Sequence, residues 1–228
     1  MIARRLVLGT MGRRALRVAA VSAVLVAALY PWLRMARSGP SPFSDEGVVG
    51  LMALSILEGR DLPIYFWGQA YFGAVEAYVA ALMFAVGGVS TLTLRASPYL
   101  FWLGSVALTA AIAGRAWGPT FGWMAALLAA LPTLPLATHR GLAFGGYTVL
   151  VFLGLLGLWL AGLGLPGAPR RPIGLGRAAG LGCVAGLACW VSPFAAAFLP
   201  PTALVAWRAW RWSETRSLAG VVGFAAGS

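Results

Sequence analysis

Long apolar runs, separated by short clusters of arginine, make up most of this 228-residue chain. Hydrophobic residues account for 60% of the sequence and charged residues for only 10%, and the mean hydropathy is +0.83. A soluble core of this size could not bury so much apolar surface, so the pattern predicts an all-α polytopic transmembrane helix bundle. The net charge of +11 comes from clusters beside apolar runs, which is typical of membrane loops and argues against a nucleic-acid partner.

The apolar runs predict about six complete transmembrane helices and the start of a seventh. The predicted helices cover residues 17–33, 98–117, 119–136, 147–165, 178–191 and 194–207, the last two as a hairpin. The final apolar run reaches only Ser228, so we expect 1–228 to be a single membrane domain and the N-terminal part of a longer protein. The arginine clusters predict a cytoplasmic N-terminus.

Residues 34–97 are predicted to form a large first outer loop that contains surface-lying helices. This stretch holds five of the six acidic residues, namely Asp45, Glu46, Glu58, Asp61 and Glu76. Ser44 is a suitable N-cap for a helix that Gly59 would end. The apolar residues at the spacing of one helix face are Val48, Leu51, Met52 and Ile56. An amphipathic helix on the membrane surface fits this pattern.

The segment 72–88 has two possible interpretations. Its length is at the lower limit for a membrane span, and it contains Glu76. If it crossed the membrane, the arginine clusters at 170–177 and 208–216 would both face outward. We therefore favour a second helix that lies on the surface.

With this topology, polar and charged residues collect on the outer face: Asp45, Glu46, Gln69, Tyr71, Glu76, Arg95, His139 and Arg140. Charged groups beside a bilayer are costly unless they pair or line a water-filled cavity, so we expect a site here. A carboxylate can take a proton from an acceptor or hold a divalent cation, and arginine and histidine can neutralise a phosphate leaving group. Because neighbouring helix residues point about 100° apart, we expect at most one of Asp45 and Glu46 to face the site directly. We favour Asp45 as this reactive carboxylate.

Each of these residues also has a purely structural explanation. The acidic pair can simply favour a helix N-terminus electrostatically. Glu76 can snorkel or pair with Arg95, and Arg95 can anchor the membrane interface. His139 and Arg140 can be an interfacial polar pair. These alternatives stay open on composition and spacing alone.

Several motifs add a family resemblance. They are PFSDEG at 42–47, ILEGRDLP at 56–63, FWGQAYFGAVEAY at 66–78, GVS at 88–90 and LR at 94–95. Weaker matches follow at 114–118, 140–141, 145–147 and 186–193. Together these segments resemble the bacterial branch of the protein O-mannosyltransferase-like family. That family belongs to the C-type glycosyltransferase superfamily, with the lipid A aminoarabinose transferases and the oligosaccharyltransferases.

The resemblance implies a membrane glycosyltransferase of the bacterial inner membrane. Such an enzyme moves a sugar from a polyprenyl-phosphate-linked donor to an acceptor, here unknown, on the non-cytoplasmic face. It implies Asp45 as the catalytic or metal-associated carboxylate, with Glu46 beside it and a divalent cation as a candidate cofactor. Arg95 matches a recurrent arginine of the same loop, and Arg95, His139 and Arg140 become candidate phosphate contacts. Gln69, Tyr71 and Glu76 would line the site.

The chain departs from the family pattern in its second outer segment. Many relatives carry an acidic residue there, where this chain has His139 and Arg140. A different class of function is therefore kept beside the first: a non-catalytic membrane protein that binds or moves lipid-linked substrates. An inactive, truncated transferase is the third alternative.

Overall fold

The structure, a computed structural model, describes residues 18–30, 33, 44–131, 142–163 and 175–208. The described chain is mostly helical, as the sequence predicts. Its helices are α1 (Val18–Tyr30), α2 (Ser44–Leu57), α3 (Val75–Gly87), α4 (Thr91–Trp117), α5 (Pro119–Ala130), α6 (Tyr147–Ala161), α7 (Leu175–Val191) and α8 (199–208). Two short strands, β1 (Tyr65–Phe66) and β2 (Gln69–Gly73), form an antiparallel hairpin that the all-α prediction did not include. A 3-10 helix, Pro193–Ala197, connects α7 to α8.

Residues 44–87 form a small packed layer, which we call the outer layer. Within it α2 packs along α3, and α3 also packs on α4. The core of the layer combines Val49 of α2, Phe72 of β2 and Phe84 of α3. Ala143, just before α6, belongs to the same core. The outer layer therefore packs against the segment that leads into α6.

The start of α2 at Ser44 agrees with the sequence prediction, and so does its end before Gly59, whose φ is 68°. Three of the four residues predicted on the apolar face contact the core, since Met52 is buried and Val48 and Ile56 pack against it. Val49 and Met52 are buried, whereas Leu51, which was expected on that face, is 59% exposed. The difference arises because α2 packs against α3 in a protein core, and that core selects the face that includes Glu46.

The segment 72–88 divides between the end of β2 and the 13 residues of α3. At 1.5 Å per residue such a helix is about 20 Å long, which is less than the thickness of a bilayer core. The surface-lying orientation stays a prediction, because α5, which is predicted to cross the membrane, is shorter still at 12 residues.

The predicted start of the second long helix at residue 98 is wrong, because α4 begins at Thr91. Ser90 caps the helix by accepting a hydrogen bond from the Thr93 N–H. Pro98 then lies inside α4, where its missing N–H would leave the Leu94 carbonyl without its usual partner. The Ser97 hydroxyl donates to that carbonyl at 3.0 Å. Arg95, which was expected in a loop, is therefore a residue of α4.

Three other helices keep their predicted places with changed ends. α5 begins at Pro119 as expected and ends at Ala130, and the predicted remainder to 136 lies mostly outside the described residues. α6 ends at Ala161 because Gly162 adopts φ 104°, a left-handed conformation that favours glycine. α7 begins at Leu175, three residues before its predicted start.

Side-chain contacts set the directions of α4, α6 and α7. The Phe101 and Phe152 rings lie 5.7 Å apart, and Arg115 lies over the Trp159 ring at 4.3 Å. Both contacts join α4 to α6 in chain order, so these helices run in the same direction. α7 runs the opposite way, because Arg177 near its start donates to a carbonyl at the end of α6.

The predicted hairpin of the last two helices is present in the structure. Phe198 packs against Gly154 of α6, and Thr202 packs against Gly157 one turn later. α8 therefore follows α6 in direction and returns antiparallel to α7. Gly154 leaves room for this close approach, because a Cβ there would clash with the Phe198 ring.

Charged residues divide between the two ends of α4 and α6. Every acidic residue in the described ranges lies in the outer layer, in which Glu46 and Glu76 contact the starts of α4 and α6. Arg115 and Arg177 lie at the opposite end, towards which α8 runs to Arg208. We call these the carboxylate end and the arginine end. Within the described residues, α4 alone has the length and apolar composition that suit a membrane crossing.

Candidate active site

A buried ion pair joins the first turn of α2 to the start of α4. Glu46 and Arg95 have relative exposures of 0% and 1%. The Arg95 Nε–H donates to Glu46 Oε1 at 2.8 Å, and an Nη2–H donates to Oε2 at 3.0 Å. Bidentate pairs of this kind fix orientation as well as distance. The N-terminal end of α2 is therefore fixed against α4.

This pairing points to a different role for Arg95 from direct phosphate contact. The pair with Glu46 uses two of the five N–H donors of Arg95, and the side chain is 1% exposed, so its observed contact is with the protein interior. Arg95 and Glu46 are therefore best described as positioning residues. The pairing that the sequence allowed between Glu76 and Arg95 is made by Glu46 instead.

Glu76 lies buried at the start of α3. Its Oε2 accepts a hydrogen bond from the Gly146 N–H at 2.7 Å, whereas Oε1 has no hydrogen-bond partner among the described residues. Gly145 and Gly146 have φ values of 76° and 114°, a left-handed backbone that favours glycine. Glu76 thereby ties the outer layer to the turn that begins α6.

Burial raises the pKa of Glu76 from 4.5 to about 7. Hydrogen bonds from the Gly146 and Gly145 N–H groups lower this pKa, and the nearby Glu46 carboxylate raises it. Glu46 is paired with Arg95, so the two acidic side chains have different surroundings. Glu76 changes its charge near neutral pH.

The stability of the protein is expected to fall between about pH 4.5 and pH 7 because of Glu76. Glu76 keeps its proton to a higher pH in the folded protein than in the unfolded chain. Its contribution to the free energy of unfolding is therefore complete below pH 4.5 and is lost as the pH rises through 7. This shift corresponds to about 3 kcal/mol. Glu76→Gln keeps an acceptor oxygen and cannot ionise, so it should remove this part of the pH dependence. Thermal unfolding in detergent between about pH 5 and pH 8 measures it.

Glu58→Gln is the matched control, since Glu58 is exposed and pairs with Arg60 on the surface. It should leave the pH profile of thermal unfolding unchanged. An identical profile for the wild type and Glu76→Gln would contradict the assignment to Glu76.

Asp45 differs from its neighbour Glu46 in both burial and contacts. It lies in the same first turn of α2 and is only half-buried. Within the described parts of the chain it has no hydrogen-bond or ion-pair partner. Successive helix residues point in different directions, which sends Glu46 into the core and leaves Asp45 at the rim. Among the described residues, its carboxylate is therefore left without a competing partner, next to Glu46, which Arg95 holds in place.

Four aromatic side chains, which we call the aromatic row, connect the outer layer to α6 and the 3-10 helix. Ring centroids lie 4.8 Å apart for Tyr71 and Phe72, 5.4 Å for Phe72 and Tyr147, and 6.2 Å for Tyr147 and Phe194. All but Phe72 are exposed. Sequence reasoning named only Tyr71 as a site residue. The missed signal is that Tyr147 and Phe194 each stand at the start of a predicted helix.

The remaining predicted site residues divide into two groups. Gln69 lies in β2 and is half-buried. His139 and Arg140 lie outside the described residues. The turn at Gly145 and Gly146, which follows them in sequence, is the one that Glu76 holds.

A divalent cation at Asp45 stays a prediction. Divalent cations take about six or more oxygen ligands, and Asp45 supplies one carboxylate because Glu46 is committed to Arg95. Across the described residues, no group of three or more His, Cys, Asp or Glu side chains is arranged to hold a metal ion.

The chain was compared with protein-family models, with curated proteins and with solved structures. None of these comparisons finds a match. Any functional proposal therefore depends on the geometry of the site and on the motif resemblance between residues 42 and 95.

Proposed function

We propose that the chain belongs to a membrane glycosyltransferase. It moves a sugar from a polyprenyl-phosphate donor to an acceptor on the non-cytoplasmic face. One observation carries most of the support: Asp45 is unpaired within the described residues, while its neighbour Glu46 is locked to Arg95. This arrangement suits a catalytic base, because the neighbouring charges fix its position without neutralising it. The resemblance to protein O-mannosyltransferase-like enzymes is the basis for proposing a polyprenyl-phosphate donor.

In the proposed reaction, Asp45 accepts the proton of an acceptor hydroxyl while the acceptor oxygen attacks the anomeric carbon of the sugar. The bond from that carbon to the phosphate oxygen breaks, its electron pair stays on the oxygen, and polyprenyl phosphate leaves. Attack opposite the leaving group inverts the anomeric configuration. The charge that develops on the phosphate needs cationic partners. Since Arg95 is held by Glu46, we assign this role to His139 and Arg140.

The aromatic row is proposed to line the acceptor or sugar side of this site. Sugars present flat C–H faces that pack on exposed aromatic rings, while polar tips such as the Tyr71 hydroxyl supply hydrogen bonds. Gln69 lies on the same strand as Tyr71 and can add an amide. Glu76 stabilises the site by accepting a hydrogen bond from the Gly146 N–H in the turn before α6.

The proposal includes a multi-pass arrangement in the bacterial inner membrane with a cytoplasmic N-terminus. The carboxylate end faces outward and the arginine end faces the cytoplasm. The separation of acidic residues from Arg115, Arg177 and Arg208 supports this orientation, because cytoplasmic loops are enriched in arginine. α4 has 27 residues and is about 40 Å long, which exceeds the thickness of the bilayer core.

A topology reporter tests this orientation. An alkaline phosphatase fusion near Pro169, after α6, is expected to be inactive because that loop faces the cytoplasm. A matched fusion near Pro132, after α5, is expected to be active. Phosphatase activity at Pro169 would overturn the orientation, and with it the placement of Asp45 on the outer side.

The proposed activity is tested in membranes that contain the full-length protein. The donor is a polyprenyl phosphate that carries a radiolabelled sugar, and the readout is loss of label from the lipid fraction, so the acceptor need not be known. The proposal predicts release of the label by the wild-type protein. Donor binding without any release would instead support the non-catalytic alternative.

A further inference from the structure

Two arginines meet the last turn of α6 at the arginine end. The Arg115 guanidinium, from the end of α4, lies 4.3 Å from the centre of the Trp159 ring. Arg177, from the first turns of α7, donates through Nε to the Leu160 carbonyl at 3.1 Å and through Nη2 to the same oxygen. Trp159 and Leu160 are adjacent residues, so both guanidinium groups are held over one helix end.

Neither arginine has an anionic partner within the part of the chain that the structure describes. The described acidic residues all lie in the outer layer at the far end of α4 and α6. Arg177 donates two hydrogen bonds to one backbone carbonyl, which carries no net charge. Arg115 stacks on an indole ring, and this contact leaves the N–H groups at the edge of its guanidinium available. The Trp159 Nε1–H is also buried and has no acceptor among the described residues. Two guanidinium groups and a buried indole N–H therefore lie at the last turn of α6, and the described residues place no carboxylate beside the two charges.

The surroundings of these donors suit a lipid headgroup better than a soluble anion. Trp117, two residues after Arg115, is 69% exposed. Trp207 and Arg208 are the last described residues of α8, which runs towards the same end, and Trp207 is 48% exposed. Tryptophan beside arginine is typical of the boundary between the membrane and water.

We propose that Arg115 and Arg177 form a binding site for the phosphate of an anionic phospholipid. The guanidinium groups would contact the phosphate from two sides of the α6 terminus, and the exposed tryptophan would lie among the headgroups. The site stands apart from the proposed transfer reaction, since it occupies the opposite end of the bundle from Asp45. It depends on the proposed membrane location and not on catalysis.

Binding of fluorescent phosphatidylglycerol to the purified full-length protein in neutral detergent tests the site. An arginine near an anionic headgroup contributes enough attraction to change affinity about fivefold, so Arg115→Gln and Arg177→Gln should each weaken binding by that factor. Fluorescent phosphatidylcholine should bind equally to all variants. The matched control is Arg60→Gln, which removes an exposed arginine from the outer layer and should leave phosphatidylglycerol binding unchanged.

A second measurement on the unaltered protein keeps the test independent of folding defects. Phosphatidylglycerol affinity should fall steeply with added salt, whereas phosphatidylcholine affinity should not. Equal affinity for both lipids, or an equal loss of phosphatidylglycerol affinity in Arg60→Gln, would overturn the proposal. Displacement of the lipid by millimolar inorganic phosphate alone would also overturn it, because the ligand would then be a free anion.

Discussion

Replacing Arg95 with methionine is expected to lower the free energy of unfolding by about 3–5 kcal/mol. The substitution leaves Glu46 buried at 0% exposure with no counter-charge in the Glu46–Arg95 contact. Desolvation of an unpaired carboxylate is among the most costly changes that a protein interior can undergo. Chemical denaturation of the purified protein in detergent, followed by tryptophan fluorescence, measures the loss.

Two further variants separate the charge from the volume of the side chain. Glu46→Leu combined with Arg95→Met removes both charges and should regain most of the lost stability, since an apolar pair can replace a buried ion pair. Arg60→Met breaks an exposed pair with Glu58 and should cost no more than about 1 kcal/mol. Equal losses in Arg95→Met and Arg60→Met would contradict the buried ion pair.

The double variant also tests the positioning role of the pair. If Glu46 and Arg95 fix the end of α2 so that Asp45 is held in place, the double variant should fold and yet transfer sugar more slowly. A folded double variant with the wild-type rate would show that Asp45 does not need the pair.

The start of α2 could be predicted because its signals are local. Ser44 and the acidic residues after it stand at the positions that helix N-termini favour. The start of α4 could not be predicted in the same way, since Pro98 suggests a helix boundary in the sequence. In the folded helix the Ser97 hydroxyl donates to the carbonyl that Pro98 cannot serve. That compensation depends on a side-chain conformation that the sequence pattern does not reveal.

Which site residues contact one another was harder to predict than which residues belong to the site. Glu46 and Arg95 are 49 positions apart, and nothing in their spacing favours Glu46 over Glu76 as the partner of Arg95. The choice is made by the packing of α2 and α3 on the start of α4. The aromatic row has the same origin, because Tyr147 and Phe194 meet only after α6 and α7 pack together.

Asp45→Asn is expected to slow sugar transfer by about 10²–10⁴-fold if Asp45 is the general base. Asparagine keeps the size of the side chain and removes the ability to accept a proton. Asp45 is half-buried and unpaired within the described residues, so the fold should be little changed. This separates the variant from Arg95→Met, which should act mainly on stability.

Asp61→Asn is the matched control for this substitution. Asp61 is exposed and accepts a hydrogen bond from the Leu62 N–H in the turn after α2. It lies in the same outer layer as Asp45 and carries the same charge, so a general effect of acidic residues on membrane insertion would appear in both variants. The control should transfer sugar at the wild-type rate.

The most direct measurement is the rate of sugar release from the polyprenyl-phosphate donor by full-length Asp45→Asn, with its thermal unfolding recorded in the same preparation. The proposed function predicts a rate reduced by at least about 100-fold and an unfolding temperature close to that of the wild type. Transfer at the wild-type rate by the folded variant would contradict the assignment of Asp45 as the catalytic carboxylate.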